Sequence, residues 1–553
     1  MRLFVRAVAL VAAALVVGYG FFVLDQEQQV EWLGVVAVAF FLLVLALWPS
    51  FPAGGGNSFE RSLTRTASVV FAVFVLVSVQ LVHLQVVDAD EIGSRTMPTA
   101  EGTVMDPRQA IVLARVARGR ILAAGGEPIA DTVINPDGTW RREYGDPAAT
   151  YLAGFYSPLA YGLSGLEQTY NAYLRGEEGG NPFTEWLDGI LHRERRGYDL
   201  ELSIDLDLQR RAHELLGDQS GAVVLMDAKT GAVLAMAGSP TYDPARLYTN
   251  AGPDSDAQIQ AAEAYWAELT QPGSSALLTR PTQGLYAPGS VFKTVTAAAA
   301  IETGVAAPDT VYRDEGALTV DGRVIPEENR PDPNRVSYTL DEAYAWSLNV
   351  VYAQVGLQLG AERLKQYATR FGFEQEIPFD LPVAVSQISQ DEGFLNNRAA
   401  LADTAFGQGQ LFVTPLQMAL VADAVANGGE MMRPYLVQRV STYDGKTLQT
   451  RSPEVWKRAI SEDTAAVLRD MMVHSVQNGW ASDAAIPGYL VGGKTGTAEA
   501  GGGEPHGWFI GFAGKQEPEY VVAVIVEHGG VGGTSALPIG REMLRAALER
   551  SGE

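Results

Sequence analysis

The chain has 553 residues, 47% of them hydrophobic and 19% charged, and its 41 Lys and Arg against 65 Asp and Glu give a net charge of −24. That length suggests about two to four domains with a large core, and the composition argues against global disorder. The acidic balance makes nucleic acid a poor partner, because a polyanion requires clustered Lys and Arg. Without cysteine there is no disulfide, thiolate nucleophile or Cys-ligated metal. The six His are dispersed and form no HExxH pair, so no metal and no cofactor is expected.

Three apolar runs, at 7–24, 32–48 and about 67–87, each approach the length of a membrane-spanning helix and predict three spans. The rapid succession of runs, and the lack of an Ala-x-Ala site before Asp25, favour a span over a cleaved signal peptide for the first. Arg2 and Arg6 precede the first run and Arg61 and Arg65 the third, while the intervening link, with Asp25, Glu27 and Glu31, has no Lys or Arg. This asymmetry places the N-terminus in the cytoplasm and the chain from Asp88 onward outside the membrane. The third run carries Ser78, Gln80, His83 and Gln85, which are disfavoured in hydrocarbon unless they face another helix or the interface. Gly54-Gly55-Gly56 reads as a flexible cytoplasmic turn.

From Asp88 to about Asp199, short β-like runs (110–116 and 120–122) alternate with Gly and Pro, which suggests a small extended module without a catalytic cluster. From Leu200 the pattern predicts a helix at 207–216 and strands at 222–227 and 232–237 joined through Lys229-Thr230-Gly231. A polar insertion at 243–283 with one helix near 256–269 follows, then an apolar helix from Ser290 to Ile301. Strands at 491–498, 508–513 and 520–527 and a helix at 539–549 close the sequence. Strands and helices at both ends of this region imply an α+β domain with an antiparallel sheet. The expected division is 1–88, 89–199 and 200–553.

One Ser-x-x-Lys, Ser290-Val291-Phe292-Lys293, falls where a loop gives way to the apolar helix. Residues three apart share a helical face, so the Lys293 amine can reach the Ser290 hydroxyl, and burial would lower its pKa enough for the neutral amine to act as base. Backbone N–H groups at a helix N-terminus are also available for an oxyanion. About one such tetrapeptide is expected by chance in a chain of this length, so alone it says little. Ser347-Leu348-Asn349 and then Lys494-Thr495-Gly496-Thr497 follow in order, and the combination is specific. In this arrangement Ser347 would relay a proton to a leaving amine and Asn349 would hold a substrate amide. Lys494, Thr495 and Thr497 would bind a carboxylate, and the N–H groups of Ser290 and Thr497 would form the oxyanion hole. The candidate catalytic residues are therefore Ser290, Lys293, Ser347 and Lys494, and the candidate substrate-binding residues Asn349, Thr495, Gly496 and Thr497. Lys229-Thr230-Gly231 precedes the serine in a hairpin turn and is read as structural.

These motifs resemble those of the class B penicillin-binding proteins, the transpeptidases of bacterial cell-wall synthesis, over about residues 67–545. Similar local stretches are Leu84-Gln85-Val86-Val87, Arg118-Gly119-Arg120-Ile121, Gly165-Leu166-Glu167, Leu174-Arg175-Gly176 and Asp205 with Leu208-Gln209. Gly407-Gln408-Gly409, Thr414-Pro415-Leu416-Gln417 and His506-Gly507-Trp508-Phe509 extend the resemblance. It implies a serine penicillin-recognising fold from about Leu200, on an elongated pedestal at 89–199. It also implies acylation of the serine by the D-Ala-D-Ala end of a peptidoglycan stem peptide, transfer to an amine on a neighbouring strand, and covalent inhibition by β-lactams. A further implied partner is a SEDS-type membrane glycosyltransferase, for which the polar third span would be a docking surface.

The chain departs from that family's pattern in two places. Members usually have one membrane anchor, corresponding here to the third run, and Ala123-Ala124 replace the usual Asp-Arg pair after Ile121. The same motifs would also serve a D,D-carboxypeptidase or β-lactamase that releases the acyl group to water, or a non-catalytic β-lactam receptor or scaffold. Gly407-Gln408-Gly409 reads as a close backbone approach, His506 and Trp508 as strand packing or groove wall, and Asp205 and Glu167 as caps or ion-pair partners.

Overall fold

The computed structural model describes residues 2–22, 29–47, 58–86, 96–99, 102–105, 116–136, 139–179 and 196–550. The turn around Gly54-Gly55-Gly56, Val87, Asp88 and residues 110–115 of the first β-like run lie outside the described residues. The chain forms two compact units, Met1–Gln109 and Ala110–Glu553.

The first unit contains the helices Arg2–Phe22, Gln29–Leu47 and Ser58–Val86 and a small antiparallel hairpin, Thr96–Thr99 with Gly102–Met105. Phe4–Phe21 and Arg65–Leu84 are long and apolar enough to cross a membrane, whereas the apolar stretch Glu31–Leu47 is shorter. Two polar side chains of the third helix, Gln80 and His83, are engaged inside the unit. Gln80 Oε1 accepts from Trp32 Nε1 at 2.8 Å, and the His83 ring stacks on Trp32 with centroids 3.7 Å apart. Ser78 returns its hydroxyl to the Phe74 carbonyl of its own helix at 2.9 Å. Interhelical hydrogen bonding of this kind is how polar groups are accommodated in hydrocarbon. Gln80 and His83 thus face the second helix.

In the second unit, the strands Gly221–Asp227, Val233–Ser239, Leu490–Ala498, His506–Gly514 and Tyr520–Val526 build a five-stranded antiparallel sheet. Its central strand, Tyr520–Val526, pairs on one side with Gly221–Asp227 and on the other with His506–Gly514. Tyr520–Val526 is apolar along its length because both faces are covered. Val521, Ala523 and Ile525 join the core that contains the helix Pro415–Ala426, while Val522, Val524 and Val526 join the core of Leu206–Leu216 and Ala536–Arg550. Because the sheet is assembled from both ends of the domain, the long intervening segment lies against it. Within that segment the helix Lys293–Glu302 is buried from Lys293 to Ala300, and its alanines permit close contact with the helices Asn349–Leu359, Ala361–Arg370 and Glu462–Asn478.

A six-stranded sheet joins strands from residues 121–144 to strands from 199–202 and 437–450. Its order is Thr447–Thr450, Val437–Ser441, Asp199–Leu202, Ile121–Leu122, Pro128–Ile134 and Trp140–Tyr144. Ala123 and Ala124, at the departure from the family pattern, lie in its connections: Ala123 N bonds Glu127 O at 2.8 Å and Ala124 N bonds Ile204 O at 2.9 Å. Glu167 is buried between Arg118 and Arg142, with Arg142 Nε 2.6 Å from its Oε1. Asp205 caps the helix Leu206–Leu216 by accepting from Asp207 N at 2.9 Å and Leu208 N at 3.2 Å. Lys229-Thr230-Gly231 is the turn of the first hairpin. There Asp227 Oδ1 accepts from Lys229 N, Thr230 N and Thr230 Oγ1 at 2.8–2.9 Å, and Gly231 supplies φ 77.

Candidate active site

The nucleophile candidate Ser290 lies in a short 3₁₀ turn, Gly289–Phe292, that leads directly into the helix Lys293–Glu302. Gly289 enters the turn at φ 56, and a Cβ there would strike the Thr497 carbonyl. Gly289 N also bonds Gly407 O at 3.0 Å, and a Cβ at Gly407, itself at φ 95, would collide with Gly289. Glycine is required at both positions by φ and by space. The serine turn is therefore held between the Gly407-Gln408-Gly409 loop and the strand Leu490–Ala498. Gly496 completes the approach, since its Cβ would lie 3.0 Å from Val291 Cγ1 and 3.1 Å from Pro288 O.

Lys293 is fully buried. Its Nζ donates to Ser347 O at 2.6 Å, to Asn349 Oδ1 at 2.8 Å and, more weakly, to Ser347 Oγ at 3.3 Å, and it lies 5.6 Å from the centre of the Tyr352 ring. Burial lowers the Lys293 pKa to about 7, opposed by the carboxylate of Glu327. The lysine is thus poised between ammonium and amine near neutral pH. Among the described residues the Ser290 hydroxyl has no hydrogen-bond partner, so the lysine on its turn is committed to the Ser347 and Asn349 side of the pocket.

Lys494 is also fully buried. Its Nζ donates to Thr495 O at 3.0 Å and stands 5.6 Å from the Tyr344 ring centre, while Tyr344 OH pairs with Thr294 Oγ1 at 2.9 Å on the serine helix. Burial, and secondarily the charge of Lys293, push the Lys494 pKa well below its ordinary value. Two lysines that repel one another in a desolvated site have a strong affinity for an anion. Thr495 and Thr497, two apart on the strand, share one of its faces; Thr495 is buried and Thr497 exposed, and the Gly532 N–H reaches Thr497 Oγ1 at 3.4 Å.

Sequence reading did not single out Glu327, Tyr344 or Tyr352, which border these lysines, or Asn329, which bonds Ser347 O. No pattern marks them, because they come from turns and helices that only the tertiary fold brings to the pocket. His506 and Trp508 lie on the strand next to Lys494: Trp508 is buried with Nε1 bonded to Ala287 O at 3.0 Å, and His506 Nδ1 accepts from His528 N at 3.1 Å. Among the described residues no group of three His, Asp or Glu side chains is arranged to hold a metal ion.

Residues 221–545 match the penicillin binding protein transpeptidase domain, and residues 118–200 the penicillin binding protein A dimerisation domain. The chain belongs to the class B penicillin-binding proteins. This penicillin-binding protein is 35% identical to the peptidoglycan D,D-transpeptidase PbpA of Mycolicibacterium smegmatis, over 88% of this chain and 99% of that one. It is 33% identical to PbpA of Mycobacterium tuberculosis, over 89% and 99%. Among solved structures, penicillin-binding protein A of M. tuberculosis, determined as a ceftriaxone acyl-enzyme, has a TM-score of 0.72 at 32% identity and covers 79% of this chain and 100% of its own. The D,D-transpeptidase domain of a peptidoglycan glycosyltransferase from Eggerthella lenta has a TM-score of 0.68 at 36% identity, covering 79% and 100%.

Proposed function

We propose that this chain is a membrane-anchored peptidoglycan D,D-transpeptidase that works through a Ser290 acyl-enzyme and is blocked when a β-lactam acylates the same serine. The observation that carries the assignment is the buried Lys293 amine, held by Ser347 and Asn349 beside the serine turn. As a neutral amine it keeps two N–H groups for Ser347 O and Asn349 Oδ1 and directs its lone pair to the serine hydroxyl. Ser290 Oγ then attacks the carbonyl of the penultimate D-Ala, and its proton passes to Lys293. The oxyanion is received by the backbone N–H groups of Ser290 and Thr497. Collapse breaks the peptide bond, the departing D-Ala amine takes its proton through Ser347, and an acceptor amine attacks the ester to form the cross-link. The terminal carboxylate lies against Lys494, Thr495 and Thr497, where it restores the Lys494 ammonium. Gly496 serves by having no side chain, which lets the substrate strand and the serine turn share one edge.

The reading places residues 1–88 as a three-span anchor, 89–199 as pedestal and 200–553 as the transpeptidase domain, with the N-terminus cytoplasmic and the catalytic domain outside the cell membrane. Seventeen helical residues, the length of Glu31–Leu47, extend about 25 Å, which meets the lower limit for a span. A SEDS-type glycosyltransferase that supplies glycan would engage lipid-facing surfaces of this anchor, since Gln80 and His83 are used internally.

The test is labelling of the full chain in detergent with fluorescent penicillin. A stable adduct that disappears in Ser290→Ala supports the assignment, and labelling that survives the substitution refutes it. Rapid turnover of the β-lactam, with no lasting adduct, would instead identify a hydrolase.

A further inference from the structure

The turn carrying Ser347, Leu348 and Asn349 has two local weaknesses. Ser347 lies at φ 58, a left-handed conformation that is costly for a residue with a side chain. The helix Asn349–Leu359 starts after Leu348, which has no side-chain oxygen to cap the first-turn N–H groups. One segment, 327–329, answers both. Glu327 Oε2 accepts from Val350 N at 2.9 Å and supplies the missing cap, while its Oε1 accepts from Asn329 N at 3.0 Å. Asn329 Nδ2 in turn donates to Ser347 O at 3.1 Å, the oxygen that also receives Lys293. The Glu327 side chain is buried, so these bonds are shielded from water.

We propose that Glu327, acting with Asn329, is a positioning residue for acylation: it locks the Ser347–Val350 backbone in the one arrangement in which Ser347 O and Asn349 Oδ1 together hold Lys293. This rests on the reading of Lys293 as the base for Ser290. A carboxylate suits the position because two backbone donors converge on it, and charge strengthens both bonds.

The same carboxylate has an electrostatic effect. Burial drives Lys293 toward the neutral amine, and Glu327 opposes it. Lys494 faces Lys293 from the sheet, the Tyr352 ring lies over it from the helix Asn349–Leu359, and Asp314 lies near Glu327. Burial raises the Glu327 carboxyl pKa, and the lysine works against that rise. Removing the negative charge therefore lets Lys293 lose its proton at lower pH.

The experiment measures the rate of acylation of the full chain in detergent by fluorescent penicillin between pH 5 and 9, a range on the order of two units either side of neutrality. Glu327→Gln, which keeps the shape, is expected to move the acid limb to lower pH by about one unit and to reduce the plateau rate about tenfold. Asn329→Ala, which removes a donor to Ser347 O without altering charge, is expected to reduce the plateau and leave the limb in place. An unmoved limb in Glu327→Gln, or a wild-type plateau in Asn329→Ala, overturns the proposal. Ser290→Ala and Lys293→Ala in the same assay separate the two levels. If they still label, the reading of the site fails; if they are silent while the Glu327 and Asn329 variants match wild type, only the positioning role fails.

Discussion

Gly289 and Gly407 meet backbone to backbone, with the N–H of one 3.0 Å from the carbonyl of the other and no room for a Cβ on Gly407. This contact fixes the serine turn from the side opposite the Lys494 strand. Gly407→Ala is expected to force the two loops apart and to require a strained φ, costing about 2 kcal/mol or more of stability. Thermal denaturation would show the loss, and penicillin labelling should slow disproportionately because the displaced segment carries Ser290. A melting temperature and labelling rate equal to wild type would contradict this account of the turn.

The Lys293 pKa near 7 makes acylation dependent on pH. The reactive form is the neutral amine, so the labelling rate should rise with pH through about 7 and level off above it. Stability follows the same direction. The folded-state pKa is depressed from 10.5, so between about 7 and 10.5 the unfolded chain holds more protons, and this lysine's contribution to stability improves as pH rises across that window. A rate profile flat from pH 6 to 8, about one unit either side of the midpoint, would exclude Lys293 as the base.

Among the described residues Lys494 has a single hydrogen bond, to Thr495 O, within a fully buried environment. A buried lysine so placed, whose charged form burial disfavours, serves an incoming anion at the expense of the empty protein. Lys494→Met should melt at or above the wild-type temperature while its acylation efficiency falls about 100-fold or more. A variant that lost stability and retained acylation would reverse this assignment.

Glu167 joins Arg118 and Arg142 in a buried ion cluster that shares no hydrogen bond with Lys293 or Lys494 among the described residues. Glu167→Ala leaves two buried guanidiniums uncompensated and should cost about 3–5 kcal/mol. In the folded fraction, the pH profile of acylation should match wild type. A shifted profile would tie this ion cluster to the chemistry.

The antiparallel strands of the large sheet were legible because their composition leaves no other choice. Tyr520–Val526 is apolar at every position, and a strand so short and continuous must be covered on both faces. The Lys229-Thr230-Gly231 turn was legible for a similar local reason, with an Asp, a Thr and a Gly meeting the demands of a tight hairpin. The buried environment of the serine helix was likewise written in its run of alanines. The six-stranded sheet was not legible, because Ile121–Leu122 is a two-residue strand whose partner, Asp199–Leu202, also pairs with Val437–Ser441 far along the chain.

Sequence alone therefore determined the apolar N-terminal helices, the strand and helix types, and the ordered set of Ser290, Lys293, Ser347, Asn349 and Lys494. These depend on local composition and on residue types that carry their chemistry wherever they lie. The tertiary structure decided that Lys293 is dry and held by Ser347 and Asn349, that Glu327 and Asn329 brace their turn, and that Gln80 and His83 turn toward Trp32. Desolvation and hydrogen-bond geometry arise from segments remote in sequence coming into contact, and no spacing along the chain encodes them.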